Sequence, residues 1–477
     1  MTFIHILVFG VVALVAAIPI GRGRWRGWLT LAASVAALFW LQPLSPIRYL
    51  DFWLPIVTLA LTVFVWLVVR QPAESPETPR SLAVTVGVIV AVVLIIGALR
   101  YVEPLCCLTA SRPPQLGSIA LAILMVGALG FALARLLPGE RWKPILFIVL
   151  LIGLLVILKT NALATLASGW LRALMGQSAE NAAALDIRWL GVSYIFFRLI
   201  HVLRDRQTGV LPALSLREFV AYALFFPTLT AGPIDRADRF VKDARQPFAL
   251  SLDAVFEGGE RIVAGIFKKF VLADTLALIA LNGANANQTH SALWLWVLLY
   301  AYAFRIYFDF AGYSDIAIGL GRWLGFRIPE NFDRPYLKPN LTAFWNSWHI
   351  TLATWFRAYF FNPFSRALRT ARTTLPAAVV IAASQLSTMV LIGLWHGVTW
   401  NFVIWGAWHG VGLFIHNRFA DLTRAPQRAI NEKPRLKTAV DVVRVLATFH
   451  YVALGWVWFA LPDVGLSWDV MRGLFGL

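Results

Sequence analysis

Charge is scarce in this chain. Of its 477 residues only 14% are Asp, Glu, Lys or Arg, against about 25% in soluble globular domains. Acids are scarcer still, with 25 Asp and Glu beside 42 Lys and Arg, a formal net charge of +17. Cysteine is almost absent: Cys106 and Cys107 are the two in the chain and they are adjacent. They cannot staple distant segments, which excludes a disulfide framework; they are expected to pack as small hydrophobes. No HxxxH pair occurs among the eight His, and both Cys lie far from them in sequence. A catalytic zinc site needs about three ligands, often with such a short pair, so zinc is not expected. No GxSxG stretch is present, which removes the usual nucleophile elbow for a serine acyl-enzyme. Internal repeats are missing, and low complexity is confined to the short linker "PAESPETP".

What the chain has instead is apolar surface. Hydrophobic residues make up 59%, with 21 Trp and 33 Phe, and mean hydropathy is +0.69. A spanning helix needs about 20 mostly apolar residues. Runs at 2–20, 28–44, 52–69, 81–99, 118–137 and 144–159 meet that need. The first run has no basic residue before it and reads as a retained helix rather than a cleaved leader. The basic residues fall in the connections, so the positive charge implies a membrane, not a nucleic acid. With the first helix entering the cytoplasm, the inside carries Arg22, Arg24, Arg26, Arg70, Arg80, Arg135, Arg141 and Lys143. The outside carries Arg48, Arg100, Arg112 and Lys159. Basic residues favour the cytoplasmic side, which supports this orientation.

After about residue 160 the apolar runs shorten and are cut by Pro, Gly and charge, at 186–204, 216–234, 254–281, 291–324, 341–361, 375–395, 400–417 and 436–461. Broken helices at membrane depth persist only where they are buried in protein or line a watery cavity. Residues 1–180 therefore read as a transmembrane scaffold and 181–477 as the working core. The fold class is an all-α polytopic membrane protein, with interrupted and re-entrant helices expected around a central cavity.

Four stretches could carry chemistry. "FFPTLTAGPIDRADRF" (225–240) holds Pro227 and Pro233, which cannot sit in a helix interior, and reads as a break at a membrane face. "AFRIYFDFAGYSDIAIGLG" holds Arg305, Asp309 and Asp315; Arg305 and Asp309 are four apart, so an intrahelical ion pair is expected to be possible. In "LTAFWNSWHITLATWFRAYF" the residues Trp345, Trp348, His349, Thr351, Leu352, Trp355 and Phe356 recur at three- and four-residue steps, as on one face of a helix. "LWHGVTWNFVIWGAWHG" (394–410) supplies Trp395, His396 and His409, and its Asn401, Trp405 and His409 share a helical face. One HxxxxD spacing, His416 to Asp421, reads as a chance match at a helix end. Three His in Trp-rich apolar sequence suit general-base chemistry, because a neutral imidazole can take a proton from a hydroxyl as its oxygen attacks a carbonyl.

These stretches, with "GVSYIFFR", "PENFDRPY" and "FWNSWHITLATWFRAY", resemble the membrane-bound O-acyltransferase (MBOAT) family over roughly residues 186–417. The likeness is to its bacterial branch, which includes the alginate O-acetylation membrane protein and the teichoic-acid D-alanine transfer protein. The resemblance implies that His396 is the catalytic histidine and that His349 orients substrate or stabilises developing charge. Trp345, Trp348, Trp395, Asn401, Trp405, Asp309 and Arg305 are expected to line the substrate path, with His409 backing the site. Two positions depart from the bacterial pattern: Asn346-Ser347 where basic residues are common, and Ala358 where Asp is usual.

The expected function is transfer of an acyl group, taken as acetyl, from an intracellular thioester (acyl-CoA or acyl carrier protein) to a hydroxyl of an extracytoplasmic polysaccharide or envelope polymer. No bound cofactor or metal is expected. The expected setting is the cytoplasmic (inner) membrane, with donor on the cytoplasmic side, glycan acceptor outside, periplasmic or extracellular accessory proteins, and no nucleic acid. D-alanyl transfer to a teichoic-acid-like polymer is the near alternative. An ion-coupled secondary transporter using Asp309 and Asp315 is the alternative of another class.

Overall fold

The computed structural model describes residues 2–17, 24–71, 77–102, 108–136, 142–371 and 375–477. Cys106, Cys107, Arg22 and Arg141 lie outside them. Every regular element among the described residues is helical; the one β-type contact is an isolated antiparallel bridge between Phe332 and Trp348.

Six helices open the chain: α1 (Phe3–Ala17), α2 (Arg24–Trp40), α3 (Leu50–Val69), α4 (Pro79–Ala98), α5 (Leu116–Leu136) and α6 (Trp142–Lys159). They reproduce the six apolar runs to within a few residues, because a segment in hydrocarbon must pair its own backbone groups. The start of α4 is written locally: Thr78 accepts from the Ser81 N–H and Pro79 takes the first helical position, where its missing N–H is not needed. Seven helices among the described residues are long and apolar enough to cross a membrane: α3, Pro79–Tyr101, Leu116–Leu133, α6, Ala292–Trp323, Ala377–His396 and Pro434–Ala460. The chain is thus an all-α, multi-pass membrane protein.

It divides into two compact units. The first holds residues 1–263 and 315–329, the second 264–314 and 330–477. Within the first, α7 (Asn161–Leu174), α8 (Val192–Gln207), α9 (Leu216–Ala223) and α10 (Ala237–Arg245) follow the scaffold helices. Residues 225–240 are broken, as Pro227 and Pro233 require. A 3-10 turn occupies Phe226–Thr228 between α9 and α10. Breaking a helix frees carbonyls that must find donors. Arg198, 1% exposed, supplies them: its guanidinium donates to the carbonyls of Ala223 and Thr228 and to the Thr228 hydroxyl.

The second unit contains most of α11 (Ala292–Trp323), then α12 (Leu341–Trp345), α13 (Ile350–Phe356), α14 (Ala377–His396), α15 (Trp400–Leu422), α16 (Pro434–Ala460) and α17 (Val464–Gly473). Two sequence expectations are corrected here. Arg305 and Asp309 do not pair along α11. Asp309 instead meets Lys269, and in the first unit Asp315 meets Arg261 at 2.7 Å. The stretch 341–361 is also not one helix. It stops at Trp345, restarts at Ile350 and widens into a π-helical turn at Arg357–Phe361.

The hairpin α14–α15 brings backbones together. A Cβ at Gly393 would overlap the carbonyl oxygen of Phe402, and one at Gly406 would lie 2.5 Å from that of Met389. Small residues permit such approach between membrane helices. Here they fix the turn that carries His396.

Candidate functional site

All three histidines of interest belong to the second unit. His349 lies in the gap between α12 and α13, not on a helix face. Its backbone is left-handed, with φ of 45°, and it forms the N-cap of α13. A non-glycine residue held there costs of order 1–3 kcal/mol unless its surroundings over-determine it. They do. The Phe332–Trp348 bridge precedes it, Asp333 N–H donates to the Ser347 carbonyl at 3.0 Å, and Ile350 N–H donates to the Asn331 carbonyl at 3.0 Å. The fully buried Asn331 side chain accepts from the Thr351 hydroxyl at 2.7 Å and donates to Ser314 at 3.2 Å.

Asn331 was visible in sequence only as a letter of "PENF". No spacing marks it as the residue that starts the helix after His349. Removing a buried amide strands its partners and costs about 1–3 kcal/mol. Asn331→Ala is therefore expected to lower the thermal unfolding midpoint of the purified protein in detergent. An unchanged midpoint would show that the left-handed turn holds without it.

The His349 ring is 4% exposed. It meets Phe310 edge-on at 4.5 Å between centroids and Trp395 at 6.4 Å. His396, the last residue of α14, is half-buried and also meets Trp395: its ring is 4.5 Å from Trp395, 4.8 Å from Phe459 and 5.6 Å from Trp405. Both imidazoles thus contact one indole. Their centroids can be no farther apart than the two ring-to-ring steps through Trp395 together, which total slightly more than the ~10 Å expected of groups that hold two reacting partners at about 3–3.5 Å.

His409 is fully buried in α15. Trp345 and Trp405 stand edge-on to it at 5.0 and 5.1 Å, with Tyr451 and Trp456 beyond. Neither of its ring nitrogens has a hydrogen-bond partner among the described residues, nor do the indole N–H groups of Trp345 and Trp405. Both indoles are thus held by ring packing and, among the described residues, not by a hydrogen bond. Trp348 is buried among Phe332, Phe344 and Trp456. Asn401 gives its amide N–H groups to the Leu461 and Asp463 carbonyls and the Ser467 hydroxyl, at 2.9–3.1 Å, tying α15 to the end of α16 and the start of α17.

Beside this cluster is a cavity of about 170 Å3. Trp345 forms part of its wall, with Thr342, Asn346, Arg357, Gln385 and Asn417 among the polar residues; neither His349 nor His396 does. Arg357 donates to Asn346 across the wall, so the position that departs from the family pattern faces this space. Among the described residues no group of His, Cys, Asp and Glu is arranged to hold a metal ion.

Comparison with known proteins identifies the family. The family model described as MBOAT, membrane-bound O-acyltransferase family, matches residues 146–455. The chain is 36% identical over 369 residues to a probable alginate O-acetylase of Pseudomonas syringae pv. tomato, covering 74% of this chain and 63% of that protein. It is 29% identical over 277 residues to a teichoic acid D-alanyltransferase of Bacillus subtilis, 57% of this chain and 69% of that one. It is 32% identical over 269 residues to a peptidoglycan O-acetyltransferase of Helicobacter pylori, 55% of this chain and 48% of that one. With the alginate and peptidoglycan relatives the match spans less than two thirds of their length. All three histidines described above lie within the matched range, and the chain belongs to the membrane-bound O-acyltransferase family.

Proposed function

We propose that this chain is an O-acyltransferase that moves an acetyl group from a cytoplasmic thioester to a hydroxyl of an extracytoplasmic polysaccharide. The observation that supports this reading is the pair His349 and His396, both in ring contact with Trp395, inside the family's matched region. His396 accepts the proton of the acceptor hydroxyl as that oxygen attacks the thioester carbonyl. The new C–O bond forms, the C–S bond breaks, and the proton passes from His396 to the departing thiolate. His349 donates a hydrogen bond to the carbonyl oxygen as negative charge develops there. No acyl-enzyme is needed.

Residues 181–477 form the catalytic core in this reading and 1–180 its membrane scaffold, set in the cytoplasmic membrane. Acyl-CoA or an acyl carrier protein brings the donor from inside, and accessory proteins outside present the polymer. The acetyl group is favoured because two relatives described above are named for O-acetylation, of alginate and of peptidoglycan. The teichoic acid relative keeps D-alanine as the second choice. A transporter gains no support from the carboxylates, since Asp309 and Asp315 are each held by a basic side chain.

The test is reconstitution of the purified chain in proteoliposomes, with a labelled acetyl thioester on one side and polysaccharide on the other. Label joined to the polymer through an alkali-labile ester is expected. Transfer only from a D-alanyl carrier protein selects the second choice. Uptake of an unchanged solute with no ester would overturn acyl transfer.

A further inference from the structure

The first unit contains a groove that no step of acyl transfer uses. It lies between α3, α4 and α5 and encloses about 410 Å3, within the ~300–1,000 Å3 of small-ligand sites. Leu59 and Val63 of α3, Ile89 and Val93 of α4, and Val126 and Gly127 of α5 form its walls, and Arg70 is the one charged residue among its lining. On α3 the wall runs from Ile56 to Arg70, roughly 20 Å at about 1.5 Å per residue. That exceeds the ~15 Å depth of half a bilayer's hydrocarbon core. The groove opens toward lipid: α3 is 72% buried, whereas α5 is 11% buried. Gly127 borders open space, since a Cβ there would meet nothing within 4 Å.

One end of the groove is basic. Arg70 caps the C-terminus of α3 with its guanidinium over Trp66, at 5.7 Å. Arg135, in the last turn of α5, lies over Phe131 at 4.9 Å. Arg80 stands exposed in the first turn of α4. Because successive helices alternate in direction, the end of α3, the start of α4 and the end of α5 meet the same membrane edge. Among the described residues no carboxylate forms an ion pair with any of the three. Glu77, the nearest described acid in sequence, accepts from the Leu216 N–H at 3.0 Å and lies close enough to Arg70 to offset part of its charge.

We infer that this groove is a binding site for one anionic phospholipid, with an acyl chain along α3 and its phosphate among Arg70, Arg80 and Arg135. The apolar wall selects a hydrocarbon chain, because every polar group placed there would lose its water without gaining a partner. The basic rim selects the headgroup. A guanidinium offers paired N–H donors that match phosphate oxygens, and three of them attract net negative charge, while a choline ammonium would be repelled. The site is independent of the acyl-transfer reading and stands or falls separately.

Native mass spectrometry of the full chain, released from mild detergent with phosphatidylglycerol or phosphatidylcholine added, tests this. The expected result is one retained phosphatidylglycerol, bound at least ~10-fold more tightly than phosphatidylcholine, with a thermal midpoint that rises as that lipid is added. Gly127→Phe should fill the groove and abolish retention. Arg70→Gln with Arg135→Gln should erase the preference between the two lipids while a chain is still retained. Both arginines are exposed, so this pair reads out even where Gly127→Phe fails to fold. Equal retention of the two lipids by the unaltered protein would overturn the proposal. So would an undiminished preference in the double arginine variant, or full retention by folded Gly127→Phe.

Discussion

Replacing His396 with alanine is expected to leave a folded, membrane-inserted protein whose acyl transfer falls by ~100-fold or more. General-base catalysis contributes typically about 10²–10⁴, and no second group is placed to replace it. His409 is buried against Trp345 and Trp405, and His349 is buried against Phe310 and Trp395. The fold should survive because His396 ends α14 and is only half-buried. The close α14–α15 contact depends on Gly393 and Gly406 rather than on its ring. His396→Gln sharpens the test: glutamine keeps a hydrogen-bonding side chain but cannot carry the proton, so it should be as inactive as alanine. Turnover of an acetyl thioester by each purified variant, beside its unfolding midpoint, is the measurement. Near-normal turnover in either variant would remove His396 from the proton transfer.

The parts of this fold that were legible in sequence are those decided locally. The apolar runs behind α3 to α6 announce themselves because hydrocarbon leaves the backbone no partner but itself. Thr78-Pro79 marks a helix start, and Pro227 and Pro233 mark a break. The stop at Trp345 was not legible. Residues 341–361 contain no Pro or Gly and keep their aromatics at helical spacing, so local pattern favours continuation. What interrupts them comes from elsewhere in the chain: the Phe332–Trp348 bridge and the bonds that Asn331 accepts from Ile350 and Thr351. The Arg305–Asp309 reading failed for the same reason. Correct spacing on one helix could not anticipate Lys269, 40 residues away. The family likeness picked out "PENF" and both histidine motifs without saying how one positions the other.

That long-range origin of the turn determines what should happen at His349. His349→Ala is expected to lower transfer by about 10²–10³, the typical effect of removing one donor aimed at developing negative charge. His349→Asn should retain more activity than His349→Ala, for two separable reasons. Asparagine keeps a donor and an acceptor on its side chain. It also enters the left-handed region more readily than most residues, so the φ of 45° that starts α13 persists. His349→Gly separates the two, since glycine accepts that backbone freely but brings no side chain. If the side chain carries the effect, Gly should be as poor as Ala and Asn better than both. If backbone geometry carries it, Gly and Asn should recover together. Steady-state rates for the three purified variants decide between these outcomes. Asn as inactive as Ala, in a protein of unchanged thermal midpoint, would mean that imidazole itself is required and that His349 exchanges a proton. Full activity in all three would remove it from the chemistry.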